Sequence, residues 1–134
     1  MQNVSAHIFR LMPGEDLKKQ VEQFVMDKQI KAGWISSCVG SLINFAIRFA
    51  NQPAATIGHG FFEVLSVTGT VSINGCHLHI CISDGNGSTS GGHLTAGNII
   101  YTIAEIVILS TDAVVFTREQ DKNTGWWELC VKSA

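Results

Sequence analysis

The sequence predicts an α+β fold: a single compact domain over residues 1–134, in which an antiparallel-rich β-sheet is flanked by one main helix. Three observations carry this. One segment alone has convincing helical periodicity, and β-branched and aromatic residues alternate or cluster between Gly, Asn and Asp through most of the remainder. Asn74-Gly75 separates two apolar runs, the preferred two-residue hairpin turn because both positions need positive φ. No internal repeat, low-complexity tract or Pro-rich linker divides the chain, and Pro13 and Pro53 fall at element boundaries.

In chain order, a first strand covers residues 4–11. The helix follows between Pro13 and Gln29: Gly14, Glu15 and Asp16 open it with acidic groups that suit the positive end of a helix dipole, and Leu17, Val21, Phe24 and Val25 form its apolar stripe. Lys28 and Lys31 lie near its C-terminal end, where positive charge is favoured. Further strands are predicted over 33–39, 42–50, 61–73, 76–83, 99–109, 112–118 and 126–132. Strands 61–73 and 76–83 are antiparallel neighbours across the Asn-Gly turn, with Ile73 opposite Cys76 and Thr70 and Ser72 beside the second strand. Residues 84–92, Asp-Gly-Asn-Gly-Ser-Thr-Ser-Gly-Gly, contain no apolar side chain and read as a loop, either a surface connection or a ligand loop in which Gly91 and Gly92 let backbone approach a bound group.

The chain has 9 Lys+Arg against 11 Asp+Glu, a net charge of −2, with 46% hydrophobic and 15% charged residues. Soluble domains are typically about 25% charged, so part of this surface is expected to meet another subunit. No apolar run approaches the ~18–20 residues of a membrane span, and the start of the chain lacks the layout of a signal peptide; a cytoplasmic protein without membrane contact is expected. The charge balance disfavours tight, charge-driven nucleic-acid binding by this chain alone. Cys38, Cys76, Cys81 and Cys130 form no CxxC pair and sit in apolar stretches, as packing residues do in a reducing compartment.

The chemistry-bearing signal is histidine. His77 and His79 lie two apart on one strand, so they share a face at a spacing of about 6.6–6.8 Å, and His93 follows the Gly-rich stretch. Cys76, Leu78, Ile80 and Ile82 take the opposite face. Two readings stand for the histidines: a metal site in which three imidazoles leave an open position, as in catalytic zinc centres, or hydrogen-bonded surface residues. Cys81 shares their face but lies about 13 Å from His77 along the strand, so it reads as packing. His7 and His59 have no comparable partners.

Glu63, within Phe61-Phe62-Glu63-Val64-Leu65, and Arg48, within Ala46-Ile47-Arg48-Phe49, are polar residues in apolar surroundings. They suit a structural or interface ion pair. As a general acid or base beside a metal, Glu63 lies roughly 20 Å too far along its strand without a bend or a second subunit. Neither GxxxxGK[ST], GxGxxG nor GxSxG is present. Of the neighbours Trp126 and Trp127 on the final strand, one indole is expected inward and one outward as an interface anchor.

Taken together, Arg10-Leu11-Met12-Pro13-Gly14-Glu15, Ala32-Gly33-Trp34-Ile35, Gly40-Ser41-Leu42, Ile47-Arg48-Phe49, Gly60-Phe61-Phe62-Glu63-Val64-Leu65-Ser66, Gly69-Thr70-Val71, Gly75 to His79, Ser83-Asp84, Gly91-Gly92-His93-Leu94 and Gly97 resemble, in order and spacing, the plants-and-prokaryotes-conserved (PPC) domain family. The resemblance implies the α+β fold and a homotrimer. His77, His79 and His93 match the family's HxH and GGH motif, which implies a divalent transition metal such as zinc. The stretch around Glu63 matches one linked to protein partners. Plant members read AT-rich DNA through AT-hooks; this chain contains no Arg-Gly-Arg-Pro, so the DNA-binding label carried by free-standing members is disfavoured here. The function implied is a trimeric regulatory or interaction module, of the kind recorded as DNA-binding, with a His-lined divalent-metal pocket. Its alternative is a small zinc-type enzyme acting on a small molecule, and the sequence leaves open which of the two applies.

Overall fold

The structure, a computed structural model, describes residues 3–134. Eight strands and one helix follow in the order β1 (Val4–Leu11), α1 (Leu17–Asp27), β2 (Gly33–Arg48), β3 (Thr56–Val71), β4 (His77–Ser83), β5 (Thr89–Leu94), β6 (Ile99–Thr111), β7 (Val114–Gln120) and β8 (Trp127–Ser133). The first six strands form one antiparallel sheet in the order β1-β6-β2-β3-β4-β5. The sheet curls: β5 also pairs with the end of β2, through Ile47–Leu94 and Arg48–His93. Strands β7 and β8 form a separate two-stranded sheet, so the chain has two sheets where one was expected.

The helix starts where an acidic cap allows it. The Asp16 side chain accepts the Lys19 amide at 3.1 Å and, through its other oxygen, the Gly97 amide at 2.7 Å, tying the helix start to the turn before β6. It ends in a Schellman turn, with the Ile30 amide donating to Val25 O and the Gln29 amide to Met26 O, and Gln29 takes the left-handed φ of 53°. Leu17, Val21 and Val25 are buried in one core with Leu11, Ile35, Ile106 and Ile108. Each such side chain contributes about 1.5–3 kcal/mol on leaving water.

Several expected boundaries moved. Segments 33–39 and 42–50 are one strand, β2, which passes the joint because Gly40 has no side chain: a Cβ there would lie 2.2 Å from Ile103 O. Strand β3 begins at Thr56 rather than 61. The supposed loop 84–92 divides into a short turn, where Asp84 Oδ1 accepts the Asn86 and Ser88 amides, and strand β5, which starts at Thr89. Gly91 and Gly92 therefore lie in a strand. The β3–β4 hairpin is antiparallel as expected, but Thr70 pairs with His77 and Thr68 with His79, two residues from the expected register. The Gly75 amide donates to Ser72 O, so the turn opens earlier in the chain than Asn74-Gly75 alone would place it. A slip of two residues leaves every side chain on its expected face.

Candidate metal centre

Alternation along β4 sends Leu78, Ile80 and Ile82 into the core and leaves His77 and His79 exposed on the other face. Next to them Gly69 pairs with Leu78 at φ +136°, and a Cβ there would lie 1.9 Å from His77 O. Any larger residue would push β3 off the histidine strand. On the other side β5 places His93 directly opposite His79 and, across the curl of the sheet, opposite Arg48. Gly91 and Gly92 make that close approach possible, since Cβ atoms would lie 2.7 Å from Ile80 O and 2.6 Å from Arg48 O.

Two adjacent strands, β4 and β5, thus converge three imidazoles. One ligand nitrogen from each of His77, His79 and His93 lies within 4.8 Å of the others, and the Nε2 atoms of His77 and His79 are 3.2 Å apart. Two nitrogens each 2.0–2.1 Å from a tetrahedral ion are separated by about 3.3 Å, so this edge already has the spacing of a zinc-type site. Burial, then the neighbouring His79 and Arg118, lowers the pKa of His77; burial, then Arg48 and His77, lowers that of His93. Both changes favour the neutral ring, whose lone pair binds metal. The donor set fits a borderline-soft divalent ion. Cys81 sits opposite Gly91 and is not in the group.

The surroundings of the cluster come from a part of the chain the sequence did not connect to it. The β7–β8 hairpin docks on the β3–β4 turn: Ser72 Oγ and Asn74 Nδ2 both donate to Phe116 O, at 3.0 and 2.9 Å, and the Arg118 guanidinium donates to Thr70 Oγ1 at 2.7 Å. This brings Arg118, Glu128, Trp126 and Trp127 to a cleft of about 550 Å³ that Arg48, His77 and His93 also line. Arg48 therefore lines the same cleft as His77 and His93. Glu63 does not: it is exposed, pairs with Ser41 and Ser83, and lines a separate cleft with Phe61 and Tyr101. The expected Glu63–Arg48 ion pair is absent among the described residues, because Glu63 on β3 pairs with Ser41, seven residues before Arg48 along β2. The two indoles do not divide inward and outward either; both are exposed, at 72% and 67%, where the hairpin turns into β8. Nothing in the local sequence of 114–133 signals the link to the histidines, which exists only in tertiary structure.

Residues 1–112 match the Plants and Prokaryotes Conserved (PCC) domain. The chain belongs to the PCC domain family. It is 39% identical over 123 residues, 92% of this chain, to the bifunctional protein GlmU of Synechococcus, and it spans only about a fifth of the length of the curated relatives it matches. A hypothetical protein from Salmonella enterica has the same structure, with a TM-score of 0.97 at 38% identity over 99% of this chain and 96% of that one. A metal-containing protein from Archaeoglobus fulgidus follows it with a TM-score of 0.80 at 27% identity, over 97% and 96% of the two chains. A Bacteroides thetaiotaomicron protein provisionally named as DNA-binding shares the fold at 21% identity, with a TM-score of 0.80 and 97% coverage of both chains. The PCC match ends at residue 112, so the β7–β8 hairpin lies outside it.

Proposed function

We propose that this PCC domain is a homotrimeric regulatory or interaction module that holds a divalent transition metal of the zinc class on His77, His79 and His93. The observation that carries the reading is the convergence of three ring nitrogens, from β4 and β5, within 4.8 Å. The metal-containing relative from Archaeoglobus, at 27% identity, supports it. Assembly is supported by the apolar surface left in solvent by Val39, Ile43, Phe61 and Leu65, which are 42–63% exposed on β2 and β3. The free thiols of Cys38, Cys76, Cys81 and Cys130 suit a reducing compartment such as the cytoplasm. No helix among the described residues is long and apolar enough to cross a membrane. At a net charge of −2, duplex DNA is not the partner this reading favours.

A second reading, a small metal-dependent enzyme, gains from Glu128. That carboxylate shares the cleft with His77 and supplies the proton-transfer group that Glu63 cannot. A bound ion would supply Lewis acidity toward an oxygen-bearing ligand. The chain's own contributions are three converging imidazole donors, a carboxylate able to accept or return a proton, and a cleft that orients what enters.

The test is the double replacement H77A/H79A. Stoichiometric metal is expected to disappear while light scattering still returns a trimer; unchanged metal content would remove the histidines from the assignment.

A further inference from the structure

Beside the histidines lie two cations that the metal reading does not use. Arg48, at the end of β2, and Arg118, on β7, are both half-buried in the walls of the 550 Å³ cleft. Neither has a carboxylate within 4.0 Å among the described residues. Arg118 donates to Thr70, which fixes its direction, and Arg48 makes no side-chain hydrogen bond there. Glu128 is the one acidic residue lining the cleft and stands clear of both guanidiniums, so the lining carries two positive charges against one negative. Partly desolvated guanidiniums without acidic partners are costly unless an anion completes them, and their fork matches a carboxylate or phosphate. The remaining wall is apolar and aromatic, formed by Trp126 and Trp127, whose large exposed indoles would otherwise face water. The volume is that of a small-molecule site.

We propose that this cleft binds a small organic anion, an acid group carried on an apolar or aromatic body, with Arg48 and Arg118 holding the acid group and the indoles of Trp126 and Trp127 covering the body. The two arginines divide the work between the family's part of the chain and its own. Arg48 lies within the PCC match, whereas Arg118 and both indoles come from the hairpin beyond residue 112. The β7–β8 hairpin is then the specificity element of the site. The inference builds on the metal-centre reading in taking the histidines as the floor of the cleft, although the anion contacts themselves need no ion.

The experiment is calorimetric titration of zinc-loaded and metal-stripped protein with benzoate, with benzamide as its uncharged isostere and with inorganic phosphate as an acid group lacking a body. Benzoate is expected to bind saturably and at least about tenfold more tightly than benzamide or phosphate, the difference expected of charge-assisted contacts plus aromatic cover. R48Q and R118Q should each weaken benzoate about tenfold or more. K132Q, on the same hairpin but outside the cleft, should leave it unchanged. Because R118Q also removes the bond to Thr70, R48Q decides the matter. Equal binding of benzamide and benzoate, full retention in R48Q, or binding of phosphate alone would overturn the proposal. Saturable benzoate binding by wild-type protein that takes up no zinc would uphold the anion site while the metal reading fell; metal at full stoichiometry without benzoate binding would do the reverse.

Discussion

Adding one methyl group at Gly92 should damage the histidine site without touching a histidine. Gly92 precedes His93 in β5, wedged between β4 and the end of β2, and a Cβ there would lie 2.6 Å from Arg48 O, 3.0 Å from Ile47 Cγ2 and 3.2 Å from the Arg48 carbonyl carbon. Ordinary contact begins at 3.4 Å, so the strands must part by about 0.8 Å, and the nearest obstacle is backbone that has no rotamer to move into. Metal ligands tolerate errors of only about 0.2 Å in distance. Displacing His93 by several times that should weaken metal binding about 10–100-fold, or about 1.4–2.7 kcal/mol, as loss of a ligand's supporting contacts does. The strain itself should cost about 1–3 kcal/mol of stability. Both effects are read by competition with a coloured chelator and by thermal unfolding of the metal-free protein. G85A is the control, because nothing lies within 4 Å of a Cβ at Gly85, in the turn before β5. Wild-type metal affinity and wild-type Tm in G92A would refute the view that Gly92 is there to let β5 deliver His93.

Two further outcomes follow from the core. Asn98 is fully buried; its amide donates to Ala46 O and Thr95 O and its carbonyl accepts the Ala46 amide, so N98A strands three backbone groups and should cost about 3 kcal/mol. Urea denaturation should show its midpoint falling by about 1–2 M, and a change under about 0.3 M would contradict the role. Burial pushes the Cys38 thiol up to about 12. A thiol reagent at pH 8 should modify Cys38 only after unfolding, and since a raised folded pKa is a stabilising proton held by the native state, that contribution is lost as pH rises above the unfolded value of about 9 toward 12. Labelling of Cys38 in the native protein would contradict its place in the core.

The sequence made legible what depends on periodicity. The stripe Leu17, Val21, Val25 and the acidic opening at Glu15 and Asp16 marked the helix, and alternation at His77-Leu78-His79-Ile80 put both imidazoles on the open face. What stayed hidden depends on contacts between distant segments. Thr89-Ser90-Gly91-Gly92 carries no apolar side chain, and it is a strand because neighbours on both sides supply hydrogen bonds and leave no room for a Cβ. Gly40 looked like a break, but β2 continues through it because the adjacent strand passes too close for anything larger. Arg48 was singled out for the wrong partner: its neighbour is His93, not Glu63, since β5 folds back on the end of β2. Arg118 and Glu128 lie more than twenty residues beyond His93 and gained meaning only when the hairpin docked on Thr70, Ser72 and Asn74.

The measurement that bears most directly on the account is elemental analysis of untagged protein, purified without chelator or added metal, with solution mass determined on the same sample. The account predicts close to one transition-metal ion per 14.5 kDa chain, in a particle of about 43 kDa, three times that mass. An intact trimer that carries no metal, and takes up none when zinc is supplied, would contradict the metal centre and return His77, His79 and His93 to ordinary surface roles.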